Sequence, residues 1–154
     1  MSQKITGSLD GAALTIGIVV SRWNREITDG LLQGALKALD TCGVSKDRIQ
    51  VVEVPGAFEI PIAVQALAET DVDSMIALGC VIKGETAHFE HVANAAMHGI
   101  SEVALKYDIP VTCGILTTYD VGQAEARSRD DDDNKGVEAA LAAVECANLL
   151  RELR

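Results

Sequence analysis

Residues 14–43 read LTIGIVVSRWNREITDGLLQGALKALDTCG, and this stretch indicates the fold class. The apolar run from Leu14 to Val20 has the length of a buried strand. From about Arg25 to Thr41 apolar residues recur every three or four positions, as on an amphipathic helix, and Cys42-Gly43 supplies a stop signal. A strand followed directly by a helix is the repeating unit of an α/β domain with a parallel sheet.

The same alternation occurs three more times along the chain. Further strands are predicted at about 49–54, 74–80 and 111–116, and further helices at about 58–69, 86–107, 121–127 and 136–153. A chain of 154 residues that is 48% hydrophobic has the size and composition of one compact domain. We therefore predict a single domain over residues 1–154, a three-layer αβα fold with a four-stranded parallel sheet of flavodoxin-like order.

Composition excludes several classes of function. The formal charge of −10 argues against a nucleic-acid partner, which normally requires a basic face. No apolar stretch approaches the roughly 20 residues that span a bilayer, and residues 1–7 lack the apolar core of a signal peptide. We expect a cytoplasmic protein without a membrane partner. In so acidic a chain, an anionic substrate would need a local cluster of positive charge.

The four cysteines, Cys42, Cys80, Cys113 and Cys146, are widely spaced and include no Cys-x-x-Cys pair. This spacing lacks the usual signatures of zinc and dithiol sites, so free buried thiols are expected.

Topology predicts where a ligand binds. In open parallel sheets, ligands bind beyond the carboxyl ends of the strands, at the point where the strand order reverses. A flavodoxin-like order places that point between strands 1 and 3. The candidate loops are therefore residues 21–24 and 81–86, with 55–59 beside them.

Two of the five aromatic residues, Trp23 and Phe58, fall in these loops. A flat side chain at a crevice is suited to stacking on a planar heterocycle. The alternative is that both rings simply pack beneath the loops.

The segment from Lys83 to His88 leads into the third helix, whose free N–H groups and dipole attract anions. A phosphate bound there is one interpretation, and Thr86 as a simple N-cap is the other. His88, in the first turn, is a candidate for proton transfer. It could instead be structural, or bind a metal together with His91, although no third ligand of convincing spacing is present.

Three longer motifs contain these residues, and with them the chain resembles the lumazine synthase family along nearly its whole length. They are Gly17-Ile-Val-Val-Ser-Arg-Trp-Asn24, Val54-Pro-Gly-Ala-Phe-Glu-Ile-Pro61 and Gly79-Cys-Val-Ile-Lys-Gly-Glu-Thr-Ala-His-Phe-Glu90. Shorter matches at 114–118, 123–127 and 134–136 follow in the family's order. Several motifs in one order, on loops that topology alone selected, would be an improbable accident.

The resemblance implies a role for each matching residue. His88 would transfer protons, and Trp23 would stack on the substrate pyrimidine. The pyrimidine and ribityl group would be bordered by Trp23, Ala57, Phe58, Glu59, Val81, Ile82, Lys83 and Cys113, and the phosphate by Glu85, Thr86, Arg127 and Lys135. Cys113 departs from the aromatic or asparagine common at its position, and residues 130–133 place four aspartates where the family tends to carry Gly, Thr and Lys. Such a charge block is usually a solvated loop.

The implied reaction condenses 5-amino-6-(D-ribitylamino)uracil with 3,4-dihydroxy-2-butanone 4-phosphate to give 6,7-dimethyl-8-ribityllumazine, without cofactor or metal. The family assembles as homopentamers, in some members joined into an icosahedral shell, with Arg127 and Cys113 contributed by the neighbouring subunit. Ile5 to Leu9 is the candidate extra strand on that neighbour's sheet edge, and riboflavin synthase is a candidate partner. The alternatives are a pentameric riboflavin synthase, a non-catalytic flavin-binding or shell protein and, least favoured, a flavodoxin-like redox carrier.

Overall fold

A computed structural model describes all 154 residues and contains one four-stranded parallel sheet. Its strands are β1 (Ile16–Ser21), β2 (Ile49–Val54), β3 (Ser74–Ile82) and β4 (Val111–Thr118), in the spatial order β2-β1-β3-β4. Its helices are α1 (Arg25–Thr41), α2 (Ile60–Ala68), α3 (His88–Tyr107), α4 (Val121–Ala126) and α5 (Lys135–Leu153), with short 3₁₀ turns at Lys46–Arg48 and Ala57–Glu59. The predicted α/β class and strand order are confirmed.

Two apolar layers flank the sheet, which confirms the three-layer architecture. On one face α1 and α5 cover Ile18, and on the other α2 and α3 cover Val19. Every residue of the central strand β1 is buried. A parallel strand covered on both faces is expected to be apolar throughout, which explains the unbroken run that identified it in the sequence.

The element boundaries differ from the predicted ones mainly at the end of β4, which continues to Thr118 instead of Leu116, and around β3. This strand continues to Ile82, two residues beyond the predicted end, because its pairing with β4 extends through Val81 with Thr117 and Ile82 with Thr118. Val81 and Ile82 therefore belong to the sheet and not to the loop. Helix α3 begins at His88 instead of near residue 86.

The N-terminal segment does not extend the sheet within one chain, since residues 1–15 contain no strand. The amide of Asn148, on α5, donates to the carbonyls of Ser8 and Asp10 at 2.9 Å each. The side chains of Ile5 and Leu9 are exposed. Pairing of Ile5–Leu9 with a neighbouring chain stays a prediction. No helix in the structure has the length and apolar character needed to cross a membrane.

The polar loop between α4 and α5 is anchored by one buried amide. Asn134 caps α5 by accepting from the N–H groups of Gly136 and Val137, and its amide nitrogen donates to the carbonyls of Gly30 and Arg129. Burial of a polar side chain is tolerated when its hydrogen bonds are satisfied, as they are here. By contrast the aspartates at 130–133 are exposed, as expected for a solvated loop.

Candidate active site

A cleft of about 490 Å³ opens at the carboxyl ends of β1 and β3, between the loops that follow β1, β2 and β3. This is the position that the strand order predicts for a ligand. Its lining residues are Trp23, Asn24, Ala57, Phe58, Glu59, Cys80, Val81, Ile82, His88, Phe89, His91 and Val92. A larger groove of about 890 Å³ runs along α1 and β2, but neither an aromatic nor a histidine side chain lines it. We therefore consider the first cleft the candidate site.

The turn between β1 and α1 is fixed to both neighbouring strands. Asn24 has a left-handed backbone with φ of 61°, which allows the chain to reverse sharply into α1. Its side-chain amide donates to the carbonyl of Cys80, in β3, at 3.1 Å. The N–H of Trp23 donates to the carbonyl of Pro55, just after β2, at 3.0 Å. These bonds fix the backbone from which the Trp23 ring projects.

The two aromatic rings at the cleft remain accessible to a ligand. The side chain of Trp23 is 63% exposed and that of Phe58 is 61% exposed. The interpretation that both pack beneath the loops is therefore wrong. Gly56 allows the indole to lie close to the β2–α2 loop, because a Cβ at that position would lie only 2.4 Å from Trp23 Cε3.

Glu59 brings a carboxylate to the cleft. Its Oε2 accepts from the N–H of Gly56 at 3.1 Å, which holds the side chain back over the start of its own turn. Oε1 makes no hydrogen bond within the chain, so it is available to accept one from a ligand hydroxyl. The neighbouring Ala57 is buried in the wall of the cleft.

His88 is the first residue of α3 and lines the cleft. Its imidazole is exposed and makes no hydrogen bond within the chain, so it can meet a reacting group. Its backbone N–H donates to Oγ1 of Thr86 at 3.3 Å, but Ala87 occupies the N-cap position and no side chain caps the helix, so the interpretation of Thr86 as the N-cap is wrong. His91 lies one turn further on the same wall, and the structure places no third ligating side chain beside the two histidines.

Cys80 is the one cysteine in the cleft wall. Burial raises the pKa of its thiol from 9.0 to about 11. The thiol is therefore neutral at physiological pH and does not act as a nucleophile there.

Several residues assigned to the site by resemblance lie outside this cleft. Lys83 directs its ammonium to the ring of Tyr119, 5.9 Å from the ring centroid. Glu85 and Thr86 belong to the exposed loop between β3 and α3. Cys113 lies on the edge strand β4, where its Sγ is 3.2 Å from Sδ of Met97. Although Cys113 as a whole is exposed, partial burial of its sulfur raises the pKa of the thiol.

Arg127 and Lys135 lie together at the corner between α4 and α5. The N–H of Lys135 donates to the carbonyl of Arg127 at 2.9 Å. Arg127 uses Nη1 to bond the carbonyl of Gln123 at 2.9 Å and forms no ion pair, whereas Lys135 is paired with Glu138 at 2.9 Å. Within one chain these cations are close to each other but do not line the cleft.

Some residues at or beside the cleft were not assigned to the site from the sequence, which offered His91 only as an alternative metal ligand. Asn24 ties β1 to β3, His91 lines the cleft, and Tyr119 contacts the loop that carries His88. Tyr119 directly follows β4 as the structure has it, but the sequence predicted that strand to end at about residue 116, which left Tyr119 without a signal.

Comparison with known proteins agrees with this geometry. A sequence model described as 6,7-dimethyl-8-ribityllumazine synthase matches residues 13–151. The 6,7-dimethyl-8-ribityllumazine synthase of Polaromonas sp. (strain JS666 / ATCC BAA-500) is 48% identical over 149 residues, covering 96% of this chain and 94% of that protein. That of Acidovorax ebreus (strain TPSY) is 50% identical over 146 residues, covering 94% and 92%. The chain therefore belongs to the 6,7-dimethyl-8-ribityllumazine synthase family.

Proposed function

We propose that this chain is the transferase that condenses 5-amino-6-(D-ribitylamino)uracil with 3,4-dihydroxy-2-butanone 4-phosphate in riboflavin biosynthesis. The products are 6,7-dimethyl-8-ribityllumazine, phosphate and water. The observation that carries the proposal is the convergence of two exposed aromatic rings, a carboxylate and an unpaired imidazole on one cleft at the sheet's switch point, in a chain of this family.

The ring and ribityl group occupy the cleft in this proposal. Trp23 and Phe58 supply flat apolar surfaces for the pyrimidine. Glu59 accepts hydrogen bonds from ribityl hydroxyls through its unbonded Oε1. Val81 and Ile82, at the end of β3, border the ring with backbone already held by the sheet.

His88 is the proposed proton-transfer residue. The substrate amine adds to the ketone, water leaves to form an imine, phosphate is eliminated, and ring closure with loss of a second water completes the heterocycle. Each step moves a proton, and a positioned imidazole typically contributes about 10²- to 10⁴-fold to such steps. Holding the two substrates together contributes the rest. No cofactor is required.

The phosphate-binding half of the site requires a second subunit in this proposal. Thr86 and Glu85 provide the exposed loop at the start of α3, and Arg127 and Lys135 provide the positive charge from the neighbour. The guanidinium fork of Arg127 suits a phosphate, and most of its donors make no bond within the chain. Cys113 of the same neighbour borders the ring.

The corresponding assembly is a cytoplasmic homopentamer, alone or joined into an icosahedral shell, with Ile5–Leu9 added to the neighbour's sheet edge. Strand β2 is an edge strand with Val51 exposed, and Ile5 and Leu9 are exposed apolar residues on the donor side. Riboflavin synthase, which consumes the product, is the candidate partner protein.

The reaction is tested by incubating the purified protein with both substrates and following lumazine absorbance, lumazine fluorescence and phosphate release. We expect product and phosphate to appear in equal amounts. Bound yellow chromophore without turnover would support the flavin-binding alternative instead, and conversion of two lumazines to riboflavin would support the riboflavin synthase alternative. The family comparisons favour neither alternative.

The shared site is tested by co-expressing two impaired variants, His88→Ala and Arg127→Ala, and assaying at a butanone phosphate concentration well below the raised KM of Arg127→Ala. If each site takes His88 from one chain and Arg127 from its neighbour, random mixing leaves about a quarter of the sites intact in a closed ring. Co-expression of His88→Ala with the double variant His88→Ala/Arg127→Ala is the matched control and restores nothing. No recovery in the first mixture would place both residues in one chain's site.

A further inference from the structure

The segment that carries His88 has few contacts with the rest of the chain. All six residues from Lys83 to His88 are exposed. At one end the N–H of Lys83 donates to the carbonyl of Thr118, in β4, at 2.9 Å. At the other end Phe89 is buried. Between these two anchors the only side-chain hydrogen bond is the one that Oγ1 of Thr86 accepts from the N–H of His88.

The ring of Tyr119 contacts both ends of this segment. Its centroid lies 6.4 Å from that of Phe89 with an interplanar angle of 65°, an edge-to-face arrangement. The ammonium of Lys83 lies 5.9 Å from the same centroid, within the range of a cation–π interaction. The N–H of Tyr119 donates to Oε1 of Gln123 at 2.9 Å, which ties the ring's backbone to α4.

Core packing does not account for the placement of Tyr119. The residue is 71% exposed, and its hydroxyl makes no hydrogen bond within the chain. Its ring interacts with Lys83 and Phe89, which flank the exposed segment. The side chain of Tyr119 therefore interacts with the rest of the chain through its aromatic ring and not through its hydroxyl.

We propose that Tyr119 is a positioning residue that holds the 83–89 segment, and with it His88, in place against the end of β4. This inference rests on the proposed function, which gives His88 and Lys83 their roles in the site. Without the ring, the segment keeps its two anchors but loses the side chain that joins them. Small displacements of catalytic groups slow turnover, so we expect kcat to fall more than binding of the pyrimidine changes.

The experiment compares Tyr119→Phe with Tyr119→Leu in the full chain. Phenylalanine keeps the ring and its quadrupole, so its kcat is expected within about twofold of the parent protein. Leucine keeps an apolar side chain and removes the ring. Because both ring interactions are weak and exposed, their removal together corresponds to a fall in kcat of about three- to tenfold. Equal impairment of both variants, or parent-like kinetics of Tyr119→Leu, would overturn the inference.

A double-mutant cycle with Lys83→Met tests whether the cation–π interaction contributes. If Tyr119 acts partly through Lys83, Tyr119→Leu has a smaller effect in the Lys83→Met background than in the parent, and full additivity would refute this step. Lys106→Met is the matched control, because it removes a comparable lysine–tyrosine interaction, 5.3 Å to Tyr107, at the other end of α3. Its kinetics are expected to be unchanged.

Amide hydrogen exchange gives a readout that does not depend on turnover. We expect residues 84–88 to exchange faster in Tyr119→Leu than in Tyr119→Phe, with unchanged protection of β1 and β3. Should the leucine variant not fold, Lys83→Met is measured for the same local effect. An inactive parent protein with this exchange pattern would refute the proposed function alone, whereas unchanged exchange in an active enzyme would refute the role of Tyr119.

Discussion

The carboxyl ends of β1–β3 and the corner between α4 and α5 carry the two halves of the proposed site, and they differ in how complete they are. At the strand ends, Trp23, Phe58 and His88 line one cleft within a single chain. At the corner, Arg127 and Lys135 are neighbours but line no part of that cleft. The chain thus assembles most of the proposed ring-binding half by itself, with Cys113 of the neighbour as its remaining border, whereas the cations of the proposed phosphate-binding half depend on assembly.

The difference follows from topology and charge. Adjacent parallel strands bring their carboxyl-end loops to one edge of the sheet, so residues far apart in sequence meet there without further help. The α4–α5 corner is held against α1 through Asn134, and its cations do not line the cleft. Because the chain carries a net charge of −10, a bound phosphate needs a local cluster of positive charge. In the proposed assembly the α4–α5 corner supplies that charge to the cleft of a neighbouring chain.

The largest effect is expected at the ring-binding half. His88→Ala should lower kcat by about 10²- to 10⁴-fold, because the imidazole is assigned to proton transfer. Pyrimidine binding should change little, and quenching of Trp23, the only tryptophan, reports it directly. If pyrimidine binding disappears together with turnover, His88 has a binding role instead.

The next effect tests the phosphate-binding half. Arg127→Ala should raise the KM for the butanone phosphate by about 10- to 100-fold, since hydrogen bonds to charged groups are worth about 1.5–3 kcal/mol. The KM for the pyrimidine should stay near its original value. Arg129→Ala, an exposed arginine two residues further on, is the matched control. A similar rise for both substrates would remove Arg127 from the phosphate site.

The third-largest effect is on the free energy of unfolding and concerns the turn between β1 and α1, in the ring-binding half. Asn24→Ala should lower the free energy of unfolding by about 2–3 kcal/mol, because it removes the bond to Cys80 and places alanine in a left-handed backbone. Asn24→Gly should cost less, since glycine tolerates the conformation. Urea unfolding measures both. If the two variants lose equal stability, the backbone conformation contributes nothing measurable.

The smallest expected effect concerns two thiols, Cys80 in the cleft wall and Cys113 on the edge strand β4. Because burial raises the pKa of Cys80 from 9.0 to about 11, its folded form binds the proton more tightly than its unfolded form. The associated stability is fully present below pH 9 and is lost as pH rises through 11, with about 1 kcal/mol lost by about pH 10. Urea unfolding at several pH values should show this loss in the parent protein and not in Cys80→Ala.

Thiol alkylation at about pH 8 compares the accessibility of the Cys80 and Cys113 thiols. Cys113 is exposed and Cys80 is buried, so Cys113 should react first although both thiol pKa values are raised. Early modification of Cys80 would mean that the cleft opens more than the structure indicates. Slow modification of both would be expected where an assembled neighbour covers Cys113.

Periodicity predicted most of the fold, and particular residues show where it failed. Gly43 marked the end of α1 correctly, because glycine readily adopts the positive φ found there. The end of β3 was misplaced by two residues, because its pairing with β4 is a long-range property that no local signal reports. Helix α3 begins at His88 instead of near residue 86, and no local signal marked this start, because its N-cap is Ala87 and no side chain caps it.

The amino-acid sequence by itself determined the α/β class, the strand order, the loops at the switch point and, through its motifs, the family. Each of these depends on local apolar patterning or on short runs of residues, which are readable in one dimension. Only the tertiary structure decided that Trp23 and Phe58 stay exposed, that Asn24 bonds Cys80, that Tyr119 touches both ends of the His88 segment and that Arg127 lies outside the cleft. These properties depend on contacts between residues that are far apart in the sequence, and those contacts are set by how the helices pack on the sheet.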